Sequence, residues 1–264
     1  MNLLKRYPIT TFFLLAFTFA WAIRIPMTIL QIESTPLKLV AEFAPTFAAL
    51  IVTLALSGKS GVRALLARVG VWRVGLQWYA LVLIEPVAVQ LLGTGVYVLL
   101  GGRVQFHSSG FVLPILLLIG LVLSLGEEIG WRGFALPHLQ SRSSMVVASL
   151  VIGILWAFWH VPADITSLTL LALPSTYLAF LWFVAFTCVG SLLMGWVYNR
   201  TGGSIFLMIL LHVSLSILGQ FVSAPSWQPG QAGPNELATI MQWIIVLVAA
   251  LVLRARKRPQ QAVA

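Results

Sequence analysis

The chain has 264 residues, of which 59% are hydrophobic and only 9% charged, and its mean hydropathy is +0.97. Soluble globular domains carry about 25% charged residues, so this composition excludes that class and indicates a polytopic membrane protein. The formal net charge of +9 comes from basic residues scattered between apolar runs without forming a stripe, which argues against nucleic acid as a partner.

Taken in order, the chain reads as an all-α bundle of about eight transmembrane helices in one integral membrane domain, 1–264. Lys5 and Arg6 precede a first span, Ile9 to Ile23; Ala20-Trp21-Ala22 within it resembles a signal-peptidase site, but the span is expected to be retained. The second span, Leu39 to Leu56, contains Glu42 and Pro45, and a basic connection with Lys59, Arg63, Arg68 and Arg73 follows. Trp78 to Leu100 is the third span, with Glu85-Pro86 inside it, and Phe111 to Leu125 opens the fourth. Pro137 ends or bends the fourth span, and a polar turn leads to the fifth, Met145 to Val161, which stops at Pro162. The sixth, seventh and eighth spans are Tyr177 to Tyr198, Ile205 to Val222 and Leu237 to Leu253. Cys188 is the single cysteine and lies in an apolar run, so neither a disulfide framework nor a cysteine-based zinc cluster is available within the chain.

With eight spans and a cytoplasmic N-terminus, every one of the 16 basic residues except Arg24, Lys38 and Arg103 falls on the cytoplasmic side. That is the asymmetry of the positive-inside rule, and it predicts a cytoplasmic-membrane protein with both termini in the cytoplasm.

The fourth span ends in Gly126-Glu127-Glu128-Ile129-Gly130-Trp131-Arg132-Gly133. An acidic side chain near a helix centre costs roughly 2.5 to 3.5 kcal/mol on insertion scales, so two in succession mark a functional site or a buried ion cluster that locks helix register. At a spacing of four, Glu128 faces Arg132 and Glu127 faces Trp131. Glu128 therefore has a built-in cation, whereas Glu127 is left for proton transfer.

The fifth span ends in Trp156-Ala157-Phe158-Trp159-His160, placing His160 on the face of Trp156. In the seventh span His212 and Ser216 share a face. At 1.5 Å per residue from the turn between spans four and five, Glu127 lies about 18 Å and His160 about 24 Å deep, so the two can meet near mid-membrane. A carboxylate, two histidines and a hydroxyl supply a base, an orienting group and donors to an oxyanion. Glu85 reads as a packing or cavity group near Pro86, Glu42 as lying near the outer interface, and His107 and His138 as loop or helix-end residues.

These three elements, Glu127-Glu128-x-x-x-Arg132, Trp156-x-x-x-His160 and His212-x-x-x-Ser216, resemble in kind and order the CPBP membrane proteases, which include the type II CAAX prenyl endopeptidases and the bacteriocin self-immunity (Abi) proteins. The resemblance covers 126–216. It implies a glutamate-type intramembrane endopeptidase in which Glu127 and His160 activate water, Glu128 and Arg132 shape the site, and His212 helps to stabilise the oxyanion. Trp156 stands where the family usually has Phe, and Ser216 where it has Asn or Asp. The implied partners are the lipid bilayer and a peptide or protein substrate, lipid-modified ones included, and no cofactor is expected. Zinc held by Glu127, His160 and His212 is the alternative, although no His-Glu-x-x-His is present. Two other classes remain open: a proton-coupled transporter relaying through Glu127, His160 and Glu85, which the lack of an internal repeat weakens, and a non-catalytic immunity or regulatory protein.

Overall fold

The computed structural model describes residues 3–106, 113–164, 174–217, 222–224 and 232–256. Its helices are α1 (Leu3–Arg6), α2 (Pro8–Ile29), α3 (Thr35–Glu42), α4 (Ala44–Ala67), α5 (Leu76–Leu99), α6 (Leu113–Glu128), α7 (Leu136–Gln140), α8 (Met145–Asp164), α9 (Pro174–Arg200), α10 (Ile205–Ile217) and α11 (Pro234–Arg256). A π-helical stretch, Ile129–Ala135, joins α6 to α7. Within a bilayer every backbone polar group must be satisfied inside its own segment, and long apolar runs therefore become helices. Among the described residues, seven units are long and apolar enough to cross a membrane: α2, α4, α5, the α6–α7 unit, α8, α9 and α11. Many large apolar side chains, Leu14, Leu76, Leu99 and Leu118 among them, face outward, as a lipid-facing surface requires.

Of the expected seventh span the structure describes Ile205–Ile217, as α10, about 20 Å of helical rise. It packs against α5, α6 and α9, and its face from Ile205 to Val213 is buried, so the described part of this helix is enclosed by protein. Residues 218–221 of that predicted span, and His107, lie outside the described residues. One departure, among otherwise helical described residues, is a two-residue antiparallel pair, β1 (Gln105–Phe106) with β2 (Val222–Ser223). A second is the break at Phe43 between α3 and α4, together with a kink at Gly58, whose φ of +63° suits glycine. The basic connection is thereby partly helical.

Helix approach is set by small residues. A Cβ on Gly130 would sit 2.5 Å from the Pro45 Cβ and 2.6 Å from its carbonyl carbon, so only glycine lets the π segment rest on the start of α4. Pro162 deprives α8 of a backbone donor near its end, and α2 takes up nearby carbonyls. Trp21 Nε1 and Arg24 Nη1 both donate to Trp159 O at 3.1 Å, and the Thr28 hydroxyl donates to Pro162 O at 2.7 Å. The first span is thus an integral wall of the bundle, with Ala20 of the signal-like tripeptide fully buried.

Candidate active site

The acidic pair is buried where the α6–π junction meets α8 and α10. Glu127 is 3% exposed, and Glu128 and Arg132 are wholly buried. Glu128 Oε1 accepts from Arg132 Nη1 at 2.7 Å, the pair expected from the spacing, and from His212 Nδ1 at 2.8 Å, a partner that the spacing could not show. Glu127 Oε2 accepts from Trp131 Nε1 at 3.2 Å and from Trp156 Nε1 at 2.6 Å. Both indoles pin one carboxylate oxygen and leave Oε1 toward the interior, 4.0 Å from His212 Nε2. The Arg132 guanidinium carbon lies 4.9 Å from the Trp156 ring centroid, so this tryptophan bridges the two halves of the acidic pair.

His160 is oriented from its own helix. Its Nδ1 lies 2.9 Å from Trp156 O; a carbonyl can only accept, so Nδ1 carries the proton and the neutral ring presents an Nε2 lone pair. Its ring meets Trp159, Trp156 and Phe183 edge-on, with centroids 4.8, 5.9 and 5.5 Å away. His160 therefore shares a cavity with Glu127, whereas the direct hydrogen bonds to Glu127 come from the two indoles.

That cavity has a volume of about 190 Å³, and Glu42, Ser124, Glu127, His160, His212 and Ser216 line it with apolar groups of α6 and α10. Glu128 and Arg132 do not reach the cavity; they stand behind Glu127 and His212 as support. Ser216, one turn beyond His212, is exposed toward the open side.

Two residues have partners that sequence reasoning did not show. Arg24, expected outside the membrane as a topology signal, lies within α2 and is only 5% exposed, with its guanidinium carbon 3.8 Å from the Trp159 ring centroid. Glu42, expected near the outer interface, pairs with it: Arg24 Nη2 is 2.7 Å from Glu42 Oε1. Glu42 Oε2 is buried without a hydrogen-bond partner among the described residues. Candidate ligand atoms of Glu42, Glu127 and His160 all lie within 4.8 Å of one another, a different trio from the one with His212 weighed on sequence grounds. Unlike charges in apolar segments must find each other, and a lone Arg and a lone Glu in adjacent spans were the signal available. Glu85 accepts from Gln242 Nε2 at 2.6 Å between α5 and α11 and lines no part of the cavity, so the Glu127–His160–Glu85 relay is not contiguous. His138 lies in α7, with Nδ1 2.7 Å from Phe134 O, away from the site.

Residues 109–218, the segment holding the acidic pair, His160, His212 and Ser216, match the family described as Type II CAAX prenyl endopeptidase Rce1-like. The match covers less than half of the chain, and over this segment the chain is similar to that family. It is a family of peptide-bond hydrolases. The chain is also 32% identical over 141 residues to a CAAX prenyl protease 2 of Methanococcus maripaludis, covering 49% of this chain and 51% of that protein. It thus spans about half the length of the curated relative it matches. Arg24 and Glu42 lie outside the family segment, so the cavity is wider than the matched region.

Proposed function

We propose that this chain is a membrane-embedded endopeptidase of the Rce1-like type that hydrolyses a peptide bond of a membrane-associated substrate by attack of a glutamate-activated water. The observation that carries this reading is the convergence of the open Oε1 of Glu127 and the Nε2 lone pair of His160 on one small cavity. A water there donates one O–H to each acceptor, and its oxygen attacks the scissile carbonyl as Glu127 takes the proton. The carbonyl oxygen becomes an oxyanion opposite His212 and Ser216. With Nδ1 committed to Glu128, the imidazolium form of His212 presents Nε2–H to that oxyanion, and Ser216 adds its hydroxyl. Glu127 then passes its proton to the leaving nitrogen as the C–N bond breaks, giving a carboxylic acid and an amine. Glu128 and Arg132 hold His212 and the helix face in place without touching the reacting atoms.

A zinc-dependent reading draws support from the Glu42, Glu127 and His160 trio. Arg24 works against it: a guanidinium 2.7 Å from one candidate ligand oxygen competes for that carboxylate and repels a divalent cation. The metal-free reaction is preferred. Substrates of CAAX type, and peptide processing in self-immunity, are the specific roles that the family resemblance favours. The test is a cleavage screen with the purified protein in detergent against membrane-derived and CAAX-type peptides, with products read by mass spectrometry. Cleavage by wild type and none by Glu127→Ala is the expected result; equal cleavage by both overturns the assignment.

A further inference from the structure

We propose that Arg24 of α2, which lies outside the family-matched segment, is a positioning residue for the hydrolysis, holding the last turn of α8, and with it His160, against the cavity that Glu42 and Glu127 line; this rests on the hydrolase reading above. The His160 ring is oriented within α8, by the bond from its Nδ1 to the Trp156 carbonyl. That bond fixes the ring relative to its own helix. The place of the helix end relative to Glu127 has to be set by another element, because Pro162 brings no N–H and removes one rung of the helical ladder in this turn.

The contacts of α2 supply that setting. Arg24 Nη1 donates to Trp159 O at 3.1 Å, and its guanidinium carbon lies 3.8 Å from the Trp159 ring centroid, within reach of a cation–π contact. The residue gripped in both ways is the chain neighbour of His160, and its ring in turn meets the imidazole edge-on. Trp21 and Thr28 also donate to carbonyls of this turn. Arg24 differs from them in having a second arm, since its Nη2 lies 2.7 Å from Glu42 Oε1. One planar guanidinium, only 5% exposed, thus ties the end of α8 to the end of α3. The consequence appears at the cavity, where a carboxylate oxygen of Glu42, one of Glu127 and a ring nitrogen of His160 lie within 4.8 Å of one another. Two carboxylates that near repel each other in a low-dielectric interior, and the Arg24 charge offsets that of Glu42. Arg24 therefore sets where the His160 Nε2 stands and spares Glu127 an unmatched second carboxylate. Neither task involves contact with substrate, so its loss falls on kcat and leaves KM.

The experiment uses the full chain in detergent and an internally quenched CAAX-type peptide with a prenylated cysteine. Two variants share the same wall at position 42: Glu42→Gln alone, and Glu42→Gln combined with Arg24→Met. Glutamine keeps the shape of Glu42, and methionine keeps most of the Arg24 stem without its charge or donors, so the double variant leaves neither member of the pair as an unmatched buried ion. Their comparison isolates Arg24. Glu42→Gln should lower kcat by less than about tenfold and the double variant by about 10²-fold, with KM within about twofold of wild type, the loss that follows a misplacement of about 1 Å remote from the chemistry. Amide exchange over 157–161, read by mass spectrometry, should quicken about tenfold in the double variant relative to Glu42→Gln as the turn opens locally. Arg24→Lys keeps the charge but gives up the fork and the stacked face, so it is the second variant and shows the same split where the double variant does not fold. A double variant with the kcat of wild type or of Glu42→Gln overturns the proposal and leaves the hydrolase standing. Unchanged exchange at 157–161 overturns it as well. Absence of turnover by wild type, together with quickened exchange in the double variant, removes the hydrolase reading and leaves Arg24 as the clamp on α8.

Discussion

Exchanging each of the two adjacent glutamates for glutamine should separate support from chemistry. Glu128 Oε1 is the hydrogen-bond partner of both Arg132 Nη1 and His212 Nδ1, and the Arg132 Nε and Nη2 atoms are buried without a hydrogen-bond partner among the described residues. Glu128→Gln therefore leaves a fully buried guanidinium without its counter-charge, a loss of about 3 to 5 kcal/mol when such pairs are broken. Against total stabilities of roughly 5 to 15 kcal/mol this is a large share, and it corresponds to a fall in unfolding temperature of about 6 to 20 °C for a chain of this size. Glu127→Gln keeps shape, and its amide oxygen can still accept from the indoles of Trp131 and Trp156. The chemistry lost is at Oε1, so activity should disappear while the unfolding temperature stays within a few degrees of wild type. Both variants are to be purified in the same detergent, unfolded by intrinsic-fluorescence thermal scans, and assayed for single-turnover cleavage. A Glu128→Gln protein as stable as wild type, or a Glu127→Gln protein that cleaves at the wild-type rate, refutes the division of roles.

Trp156→Phe, the residue usual in related proteins, removes a donor 2.6 Å from Glu127; hydrogen bonds to charged groups contribute about 1.5 to 3 kcal/mol, so kcat should fall about 10- to 100-fold, and an unchanged kcat would show that Trp131 alone orients the carboxylate. Ser216→Ala should lower turnover by about 10²- to 10³-fold as an oxyanion donor is lost, while Ser216→Asn should match or exceed wild type; an unchanged rate in the alanine variant removes Ser216 from the site. Chelators should leave the rate unchanged; activity lost on stripping and restored by zinc, with stoichiometric metal by mass spectrometry, would instead make Glu42, Glu127 and His160 a metal centre. Reporter fusions after Arg73 and after Arg103 should report cytoplasmic and external locations, respectively, and the reverse pattern would refute the proposed orientation.

What the sequence made legible was the local geometry. The spacing of four alone placed Glu128 on Arg132 and Glu127 beside Trp131, and it set His160 over the Trp156 carbonyl, because helical neighbours follow from periodicity. Contacts between spans were not legible. The His212–Glu128 bond joins residues 84 positions apart, and which ring nitrogen points where depends on helix rotation that hydropathy does not encode. Arg24 and Glu42 were hidden for another reason: a single charge near the end of an apolar run has the same appearance whether it flags a membrane face or neutralises a partner inside.

The π-helical stretch from Ile129 to Ala135 gives this site an unusual sensitivity to chain length. Such a segment is an α-helix with a residue too many, and it closes to a regular α-helix if one residue is removed. Each residue turns a helix by about 100°, so a one-codon deletion at Ile129 or Gly130 would swing Trp131 and Arg132 away from the carboxylates they now serve. A substitution scan of these seven positions would sample packing and the hydrogen bonds that Trp131 and Arg132 make to the carboxylates. An insertion and deletion scan would sample the phase between the catalytic carboxylates and their supports, making the number of residues here as much a determinant of activity as their identity.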